Sequence, residues 1–244
     1  MSNDKISVNI DIPNDAIKYI LFQRTAYLLF PKNPIYRVLN KLSPQPLFNR
    51  FVIWESFFRK EKVKQVFNED MRGEYEEIKS WLPNKCSAIL DVGCGVGGID
   101  VLLHRHYHRN PITEFYLLDK TSVNKNVYYH YEKRGAFYNS LDVAKDLLQQ
   151  NAISKSQIHL LDVKSDNSIK IPTRVDLVIS LISWGFHYPV STYVDQVYNV
   201  MNKGGHLIMD IRKSTEGEKE LMNRFAKLEI LSETPKSNRI LAIK

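Results

Sequence analysis

The residues whose spacing points most clearly to chemistry lie between Ser87 and Tyr107, in the run S-A-I-L-D-V-G-C-G-V-G-G-I-D-V-L-L-H-R-H-Y. A short apolar run ends in Asp91, a cluster of glycines follows, and apolar residues then recur with helical spacing. This order predicts a strand, a tight turn and a helix. Glycine lets the backbone turn sharply and approach a ligand, and a helix N-terminus offers free N–H groups. The turn therefore predicts a site for a nucleoside-bearing cofactor.

Two kinds of cofactor fit such a turn. Gly93, Gly95 and Gly98 have the G-x-G-x-x-G spacing of dinucleotide sites. Asp91, on the strand before the first glycine, favours a cationic ligand group instead, because its charge would repel a diphosphate. Read as D-x-G-x-G-x-G, the stretch closely resembles motif I of the class I S-adenosylmethionine-dependent methyltransferases. We therefore favour S-adenosyl-L-methionine over a dinucleotide.

Acidic residues fall at the ends of later apolar runs, where the carboxyl edge of a parallel sheet would gather them. The run E-F-Y-L-L-D ends in Asp119, at the strand tip where nucleotide-binding α/β folds hold ribose hydroxyls. The resemblance implies that Asp119 holds the ribose diol and that Asp162, at the end of the third strand, meets the adenine amino group. Together with these two acids, the cofactor contacts that it implies are Asp91, Gly93, Cys94, Gly95, Gly97, Lys120 and Ser180.

The fourth predicted strand, residues 175–183, is followed by W-G-F-H-Y-P. In an open α/β sheet this segment leaves the strand at the ligand-binding edge. His187 is the best candidate for a general base because imidazole titrates near neutral pH, and Tyr188 supplies a hydroxyl. Trp184 and Phe186 are candidates for an aromatic wall against the acceptor. Simple packing of the aromatic rings and a structural role for His187 stay open as alternatives.

A long connection separates the second strand from the third and carries aromatic residues around Tyr129 and His130. Long loops that leave the carboxyl edge of a sheet often cover a binding site. We therefore expect Tyr129 and His130 to contact the acceptor, with a plain surface position as the alternative for His130. The second half of the connection, residues 140–150, predicts an amphipathic helix.

The order of the predicted elements defines an α/β fold. Five predicted strands are followed by A-K-L-E-I-L-S-E-T and R-I-L-A-I-K, which predict a hairpin. We expect a doubly wound, mostly parallel seven-stranded sheet with an antiparallel C-terminal hairpin, preceded by an N-terminal helical segment. Residues 1–67 are assigned to this helical cap, with a mobile start over residues 1–13. Residues 68–244 are assigned to the methyltransferase domain, and the resemblance covers roughly this range.

Composition bounds the compartment and the partners. The chain has 244 residues, 43% of them hydrophobic, as is usual for a globular protein. Its net charge of +7 favours acidic partners, namely phosphate-bearing substrates, nucleic acid or an anionic membrane face. The alternative is that the charge serves solubility alone. Its two cysteines, Cys86 and Cys94, indicate neither a disulfide framework nor a metal cluster, so we expect no metal and a reducing, cytoplasmic compartment.

The N-terminal helices are unusually aromatic. No apolar run is long enough to span a bilayer. The aromatic-rich helices of residues 14–60 predict a cover for the acceptor or a homodimer contact, with peripheral membrane binding as an alternative.

The predicted reaction follows from the cofactor. Methyl transfer requires an aligned acceptor and, for a hydroxyl acceptor, removal of a proton. The fourth strand is not followed by the Asn/Asp-Pro-Pro-Tyr type of sequence that amino-directed nucleic-acid methyltransferases use, nor is there a Pro-Cys pair. We therefore predict O-methylation of a small-molecule or sugar/glycan acceptor. The alternatives are an N-methyltransferase, a nucleic-acid methyltransferase, or a non-catalytic S-adenosylmethionine-binding partner subunit.

Overall fold

A computed structural model describes residues 9–42, 47–108, 113–123, 138–163 and 166–244 of the chain. The helices in these ranges are α1 (Ala16–Gln23), α2 (Pro34–Leu42), α3 (Phe48–Phe58), α4 (Lys60–Ile78), α5 (Gly98–His106), α6 (Leu141–Gln150), α7 (Val194–Val200) and α8 (Gly217–Met222). The strands are β1 (Ala88–Val92), β2 (Glu114–Asp119), β3 (Ser122–Val123), β4 (Tyr138–Asn139), β5 (Ile158–Asp162), β6 (Val175–Ser180), β7 (Met201–Arg212), β8 (Lys227–Glu233) and β9 (Ser237–Ile243).

The main sheet has the strand order β5-β2-β1-β6-β7-β9-β8. The first five of these strands are parallel to their neighbours, whereas β9 runs antiparallel to both β7 and β8. The central strands β1 and β6 are buried because helices cover both faces of the sheet. The predicted seven-stranded sheet with its antiparallel C-terminal hairpin is confirmed. β3 and β4 form a separate two-stranded ribbon.

Two hydrophobic clusters form the core, one on each face of the sheet. Alternate residues of each strand supply the two clusters, as the two-residue period of a strand requires: Ile89 belongs to one and Leu90 to the other. Buried side chains of α1, α3, α4, α5 and α6 join the first cluster, and those of α7 and α8 join the second. The N-terminal helices therefore share one core with the sheet.

The predicted boundary between residues 67 and 68 falls inside α4. This helix begins at Lys60 and ends at Ile78. The helix crosses the predicted boundary because one buried face runs along its whole length. The buried residues of this face recur at helical spacing: Val63, Phe67, Met71, Tyr75 and Ile78.

The predicted mobile start is wrong for the part of it that the structure describes. Ile10 and Ile12 are buried in the first hydrophobic cluster. The Ile10 N–H donates to Asn68 Oδ1 at 2.6 Å, and the Asp11 N–H donates to Asn151 Oδ1 at 2.9 Å. These contacts hold residues 9–13 against α4 and α6.

A buried ion cluster joins the N-terminal helices to the C-terminal hairpin. The Arg239 guanidinium on β9 lies 2.8 Å (Nε–Oδ1) and 2.9 Å (Nη2–Oδ2) from Asp210. The same group lies 2.5 Å from Glu74 and 3.0 Å from Glu77 on α4. Asp210 also accepts the Ile182 N–H at 3.0 Å, so the cluster extends to the loop after β6.

We expect Arg239→Met to lower the free energy of unfolding by about 3–5 kcal/mol, because it leaves the Asp210 and Glu74 carboxylates buried without their cation. Urea unfolding monitored by circular dichroism measures this loss. Arg224→Met is the matched control, since the Arg224–Asp195 pair is exposed, and its effect should stay below about 1 kcal/mol. Equal losses in the two variants would contradict the role assigned to Arg239.

Candidate functional site

The site is built around the turn between β1 and α5. Gly95 and Gly97 lie in the left-handed region, with φ values of +57° and +77°, and Gly97 is the N-cap residue directly before α5. The Gly93 and Cys94 N–H groups both donate to the Leu118 carbonyl oxygen, at 2.7 and 3.3 Å. The turn is thereby fixed to the end of β2.

Neighbouring elements approach this turn where it has no side chains. A β-carbon added to Gly93 would lie 1.7 Å from Ser183 Oγ in the loop after β6. A β-carbon added to Gly98 would lie 2.6 Å from the Phe67 ring and 2.9 Å from Met71 Sδ on α4. The glycines therefore set how closely the loop and α4 can pack.

Asp119, at the end of β2, organises the polar side of the site. Its carboxylate accepts the Gly95 N–H at 2.9 Å, the Lys120 N–H at 2.7 Å and the Asn139 side-chain amide at 3.1 Å. Gln23 on α1 in turn donates to Asn139 Oδ1 at 3.3 Å. Burial raises the pKa of Asp119 to about 6, although these hydrogen bonds oppose the rise.

Asp91 and Asp100 form a second, fully enclosed acidic pair beside the turn. Asp91 is the penultimate residue of β1 and Asp100 lies in the first turn of α5, and the two carboxyls are within hydrogen-bond reach of each other. Burial raises the pKa of each, and the charges of Asp100 and Asp119 raise that of Asp91 further. Apart from the proton that the pair can share, neither Asp100 oxygen has a hydrogen-bond partner among the described residues.

The W-G-F-H-Y-P segment forms a tight loop at the same edge of the sheet. The His187 N–H donates to the Ser183 carbonyl oxygen at 2.8 Å, and the Gly185 N–H donates to that of Tyr188 at 3.0 Å. His187 Nδ1 is buried and has no partner in the part of the chain that the structure describes. Burial, with the nearby Arg212 charge, lowers the pKa of His187 to about 4, so its imidazole is neutral at neutral pH. Burial raises the pKa of Tyr188, which keeps its phenol protonated.

These elements enclose a cavity of about 220 Å³. The end of α1, from Phe22 to Thr25, forms one wall together with Phe67 and Met71 of α4. The glycine turn and the loop after β6 form the others. Of the residues predicted from the sequence, those that line the cavity are Asp91, Gly93, Cys94, Gly95, Asp119, His187 and Tyr188.

Two predicted site residues are core residues instead. Ser180 and Trp184 have no exposed surface. The Ser180 hydroxyl donates to the Val92 carbonyl oxygen at 2.7 Å and accepts the Trp184 N–H at 3.0 Å, and the Trp184 indole donates to the Val190 carbonyl oxygen at 2.9 Å. Their side-chain polar atoms fix the loop, and neither residue lines the cavity.

The other predicted site residues that the structure describes lie outside the lining of the cavity. The Phe186 ring packs 4.4 Å beneath the Arg212 guanidinium. Asp162 is exposed and accepts the Thr121 N–H at 3.3 Å. Lys120 flanks Asp119, and Gly97 lies behind the turn against Leu148 of α6. Tyr129 and His130 lie outside the described residues, so their predicted acceptor contacts stay predictions.

Several residues of the site were not predicted as such. Asp100 had a signal, because it is an acid in the first turn of the helix that follows the glycines. Ser183 had a weaker signal, as the last residue of the fourth predicted strand, directly before Trp184. Gln23 and Asn139 reach Asp119 from segments far apart in the sequence, and no local pattern marks them.

The architecture is that of known methyltransferases. No protein-family model matches the sequence, and the search of curated proteins gave no match. Among solved structures, a putative O-methyltransferase from Nostoc punctiforme superposes with a TM-score of 0.52 at 16% identity, covering 94% of this chain and 72% of that one. This superposition identifies the class I methyltransferase fold.

Two further solved structures show weaker similarity. A T. thermophilus 16S rRNA methyltransferase in complex with AdoMet and guanosine gives a TM-score of 0.46 at 14% identity, over 73% of this chain. The present chain spans 42% of that protein's length. A precorrin-6y C5,15-methyltransferase from Geobacter metallireducens gives 0.48 at 11% identity, over 72% of this chain and 88% of that one.

The acidic pair predicts a pH-dependent stability. The pKa of Asp100 is higher in the folded chain than in the unfolded one, so its contribution to the free energy of unfolding falls as the pH rises above about 4. We expect Asp100→Asn to be more stable than wild type by about 1 kcal/mol or more at pH 8, with the difference shrinking toward pH 4.

Urea unfolding at a series of pH values measures this difference. Asp142→Asn is the matched control, because Asp142 also lies in the first turn of a helix, α6, but is exposed. Wild type and Asp100→Asn curves that run parallel across the pH range would contradict the ionisation assigned to the pair.

Proposed function

We propose that this chain is an S-adenosylmethionine-dependent methyltransferase. The observation that carries the proposal is a group of three carboxyls at the turn, the buried Asp91 and Asp100 and the half-buried Asp119, none of which forms an ion pair with a described residue. Arg24, a cation that also lines the cavity, is already paired with Asp70 and lies near Glu74.

The carboxyls fit one cofactor class and disfavour another. A cationic ligand relieves the mutual repulsion that raises the pKa of Asp91, whereas the diphosphate of a dinucleotide would add to it. S-adenosylmethionine carries both a sulfonium and an ammonium group, and when bound it supplies an electrophilic methyl group. The Asp119 carboxylate presents an acceptor at the end of β2, where ribose hydroxyls would bind, and the Gly95 N–H, which donates to it at 2.9 Å, holds it in place.

We propose further that the methyl group passes to an oxygen atom of a small-molecule or sugar-like acceptor. The cavity combines amide, hydroxyl and imidazole groups with aromatic rings, a lining that suits a ligand with several hydroxyls. His187 presents an unpartnered Nδ1 and is neutral at neutral pH, so it can accept a hydroxyl proton. Tyr188 stays protonated and can donate a hydrogen bond.

The N-terminal helices serve, in this proposal, as the cover of the acceptor side. The end of α1 and the middle of α4 already form one wall of the cavity.

The free, buried thiols of Cys86 and Cys94 support a reducing, cytoplasmic compartment.

We expect S-adenosylmethionine and S-adenosylhomocysteine to bind, and NAD not to bind. Asp119→Ala should weaken binding by about 1–3 kcal/mol, because it removes a charged acceptor and releases the Gly95 N–H. Isothermal titration calorimetry measures both. Asp142→Ala is the control, since Asp142 is an exposed acid in the first turn of α6 and lies outside the cavity, and it should change affinity little. Saturable NAD binding without S-adenosylmethionine binding would overturn the assignment.

His187→Ala should lower turnover by roughly 10²–10⁴-fold while leaving cofactor affinity nearly unchanged, as the loss of a general base predicts. Because the pKa of His187 is lowered to about 4, the acid limb of the wild-type rate profile should lie near pH 4 and vanish in the variant. Single-turnover rates from pH 4 to 8, with His108→Ala as an exposed control, measure this. A lowered melting temperature with an unchanged rate per folded molecule would instead make His187 a packing residue.

A further inference from the structure

The N-terminal helices leave a concentrated apolar surface uncovered. Of the eleven exposed large hydrophobic side chains in the described residues, eight lie on α2, α3 or the turn before α2. Four of them are more than half exposed on α3 alone, with 73% of Phe57 accessible. We name the full set the α2–α3 patch: Leu29, Ile35, Val38, Leu39, Ile53, Trp54, Phe57 and Phe58.

The α2–α3 patch is continuous. Leu29, Ile35, Leu39 and Trp54 line one shared groove of about 280 Å³ between the two helices. From the groove the patch continues along α3 through ring contacts, with centroids 5.0 Å apart for Trp54 and Phe58 and 5.2 Å apart for Phe57 and Phe58. Contiguous apolar surface of this kind marks a site of interaction.

The orientation of α3 is fixed from its other side. Val52 and Glu55 are buried, and the Glu55 carboxylate accepts the Leu29 N–H at 3.0 Å and the Phe30 N–H at 2.7 Å. Glu55 also pairs with Arg59 at 2.5 Å. A buried carboxylate with three donors is costly to displace, so the outer face of α3 is held outward.

Cations border the apolar side chains. Residues 24–64 contain nine lysines and arginines and two acidic residues, a net charge of +7 that equals the net charge of the whole chain. Arg50 shares the outer face of α3 with Ile53, Trp54 and Phe57 by helical spacing. Other exposed cations in this range are Lys32, Lys41, Lys60 and Lys62. The positive charge of the protein is therefore concentrated in the segment that carries the patch.

We propose that the α2–α3 patch docks on the surface of an anionic lipid bilayer. Aromatic and aliphatic side chains that insert at the headgroup boundary, with Lys and Arg beside them, are the features that hold a helix in the plane of such a surface. No helix among the described residues is long and apolar enough to cross a membrane. The contact is thus peripheral.

Charge favours a bilayer over two other occupants. A second copy of the chain, docked through the same patch, would bring two segments of net charge +7 together. A nucleic acid would match the cations, but it offers no apolar partner for the aliphatic side chains of Ile35, Val38 and Leu39. An anionic bilayer satisfies the charged and the apolar groups at once.

Docking would also orient the cavity of the candidate site. Arg24 and Thr25 line that cavity, and the chain enters the patch at Leu29. Between them, the Tyr27 carbonyl oxygen accepts a hydrogen bond from Arg59 at 3.0 Å, which ties this segment to the end of α3. The docking proposal does not depend on the reaction proposed above, since it rests on the outer surface alone.

The test is co-sedimentation of the full chain with sucrose-loaded vesicles, either of phosphatidylcholine or of an equimolar mixture with phosphatidylserine. We expect binding to the mixed vesicles at low salt, with a blue shift of Trp54 fluorescence that Trp54→Phe removes. Raising NaCl to about 0.5 M should weaken binding by screening the cations. Phe57→Ser/Phe58→Ser should reduce the partition coefficient roughly tenfold or more by removing inserted area.

Met222→Ser/Ile230→Ser is the matched control, because these side chains are exposed apolar residues outside the α2–α3 patch, and it should bind like wild type. Melting temperature and S-adenosylhomocysteine affinity should be unchanged in both double variants, which separates this test from that of the reaction. Equal sedimentation with and without mixed vesicles would overturn the proposal. So would a dimer, seen by analytical ultracentrifugation, that Phe57→Ser/Phe58→Ser dissociates, or RNA binding that the same variant abolishes.

Discussion

The absence of β-carbons in the turn between β1 and α5 is the constraint on which the rest of the site depends. Ser183 approaches Gly93 from the loop after β6, and Phe67 approaches Gly98 from α4, each at a distance that no other residue type would allow. The turn therefore sets how closely both the acceptor-side loop and the N-terminal helices pack against it. The cavity is the space that remains between them.

The acidic groups at this edge of the sheet favour a cationic ligand. Isolated carboxylates are costly to bury, and the protein lowers the cost for Asp119 with three hydrogen bonds but leaves Asp100 without a described donor. The nearby cations pair with other acidic residues. Arg239 is committed to Asp210 and Glu74, and Arg24 to Asp70, so these cations stabilise the walls while the carboxyls of the site stay unpaired. A cationic ligand completes this arrangement.

Sequence reasoning succeeded where one local pattern determines the structure. The glycine turn, the acid at the tip of β2 and the C-terminal hairpin each follow from a short run of residues, and the fold confirms the elements that they predict. It failed where long-range packing decides. Trp184 follows a predicted strand as an aromatic wall residue should, but Ser180 and the Val190 carbonyl take up its polar atoms and turn it inward. No local pattern could show this.

The same long-range packing explains why the N-terminal helices cannot be treated as a separate cap. Glu74 of α4 pairs with Arg239, Arg239 holds Asp210, and Asp210 accepts the Ile182 N–H at the start of the acceptor-side loop. Ile182 has a φ of +53°, a strained value for a β-branched residue, which the fixed carboxylate helps to hold. The helices therefore shape the loop that carries His187 as well as the wall opposite it.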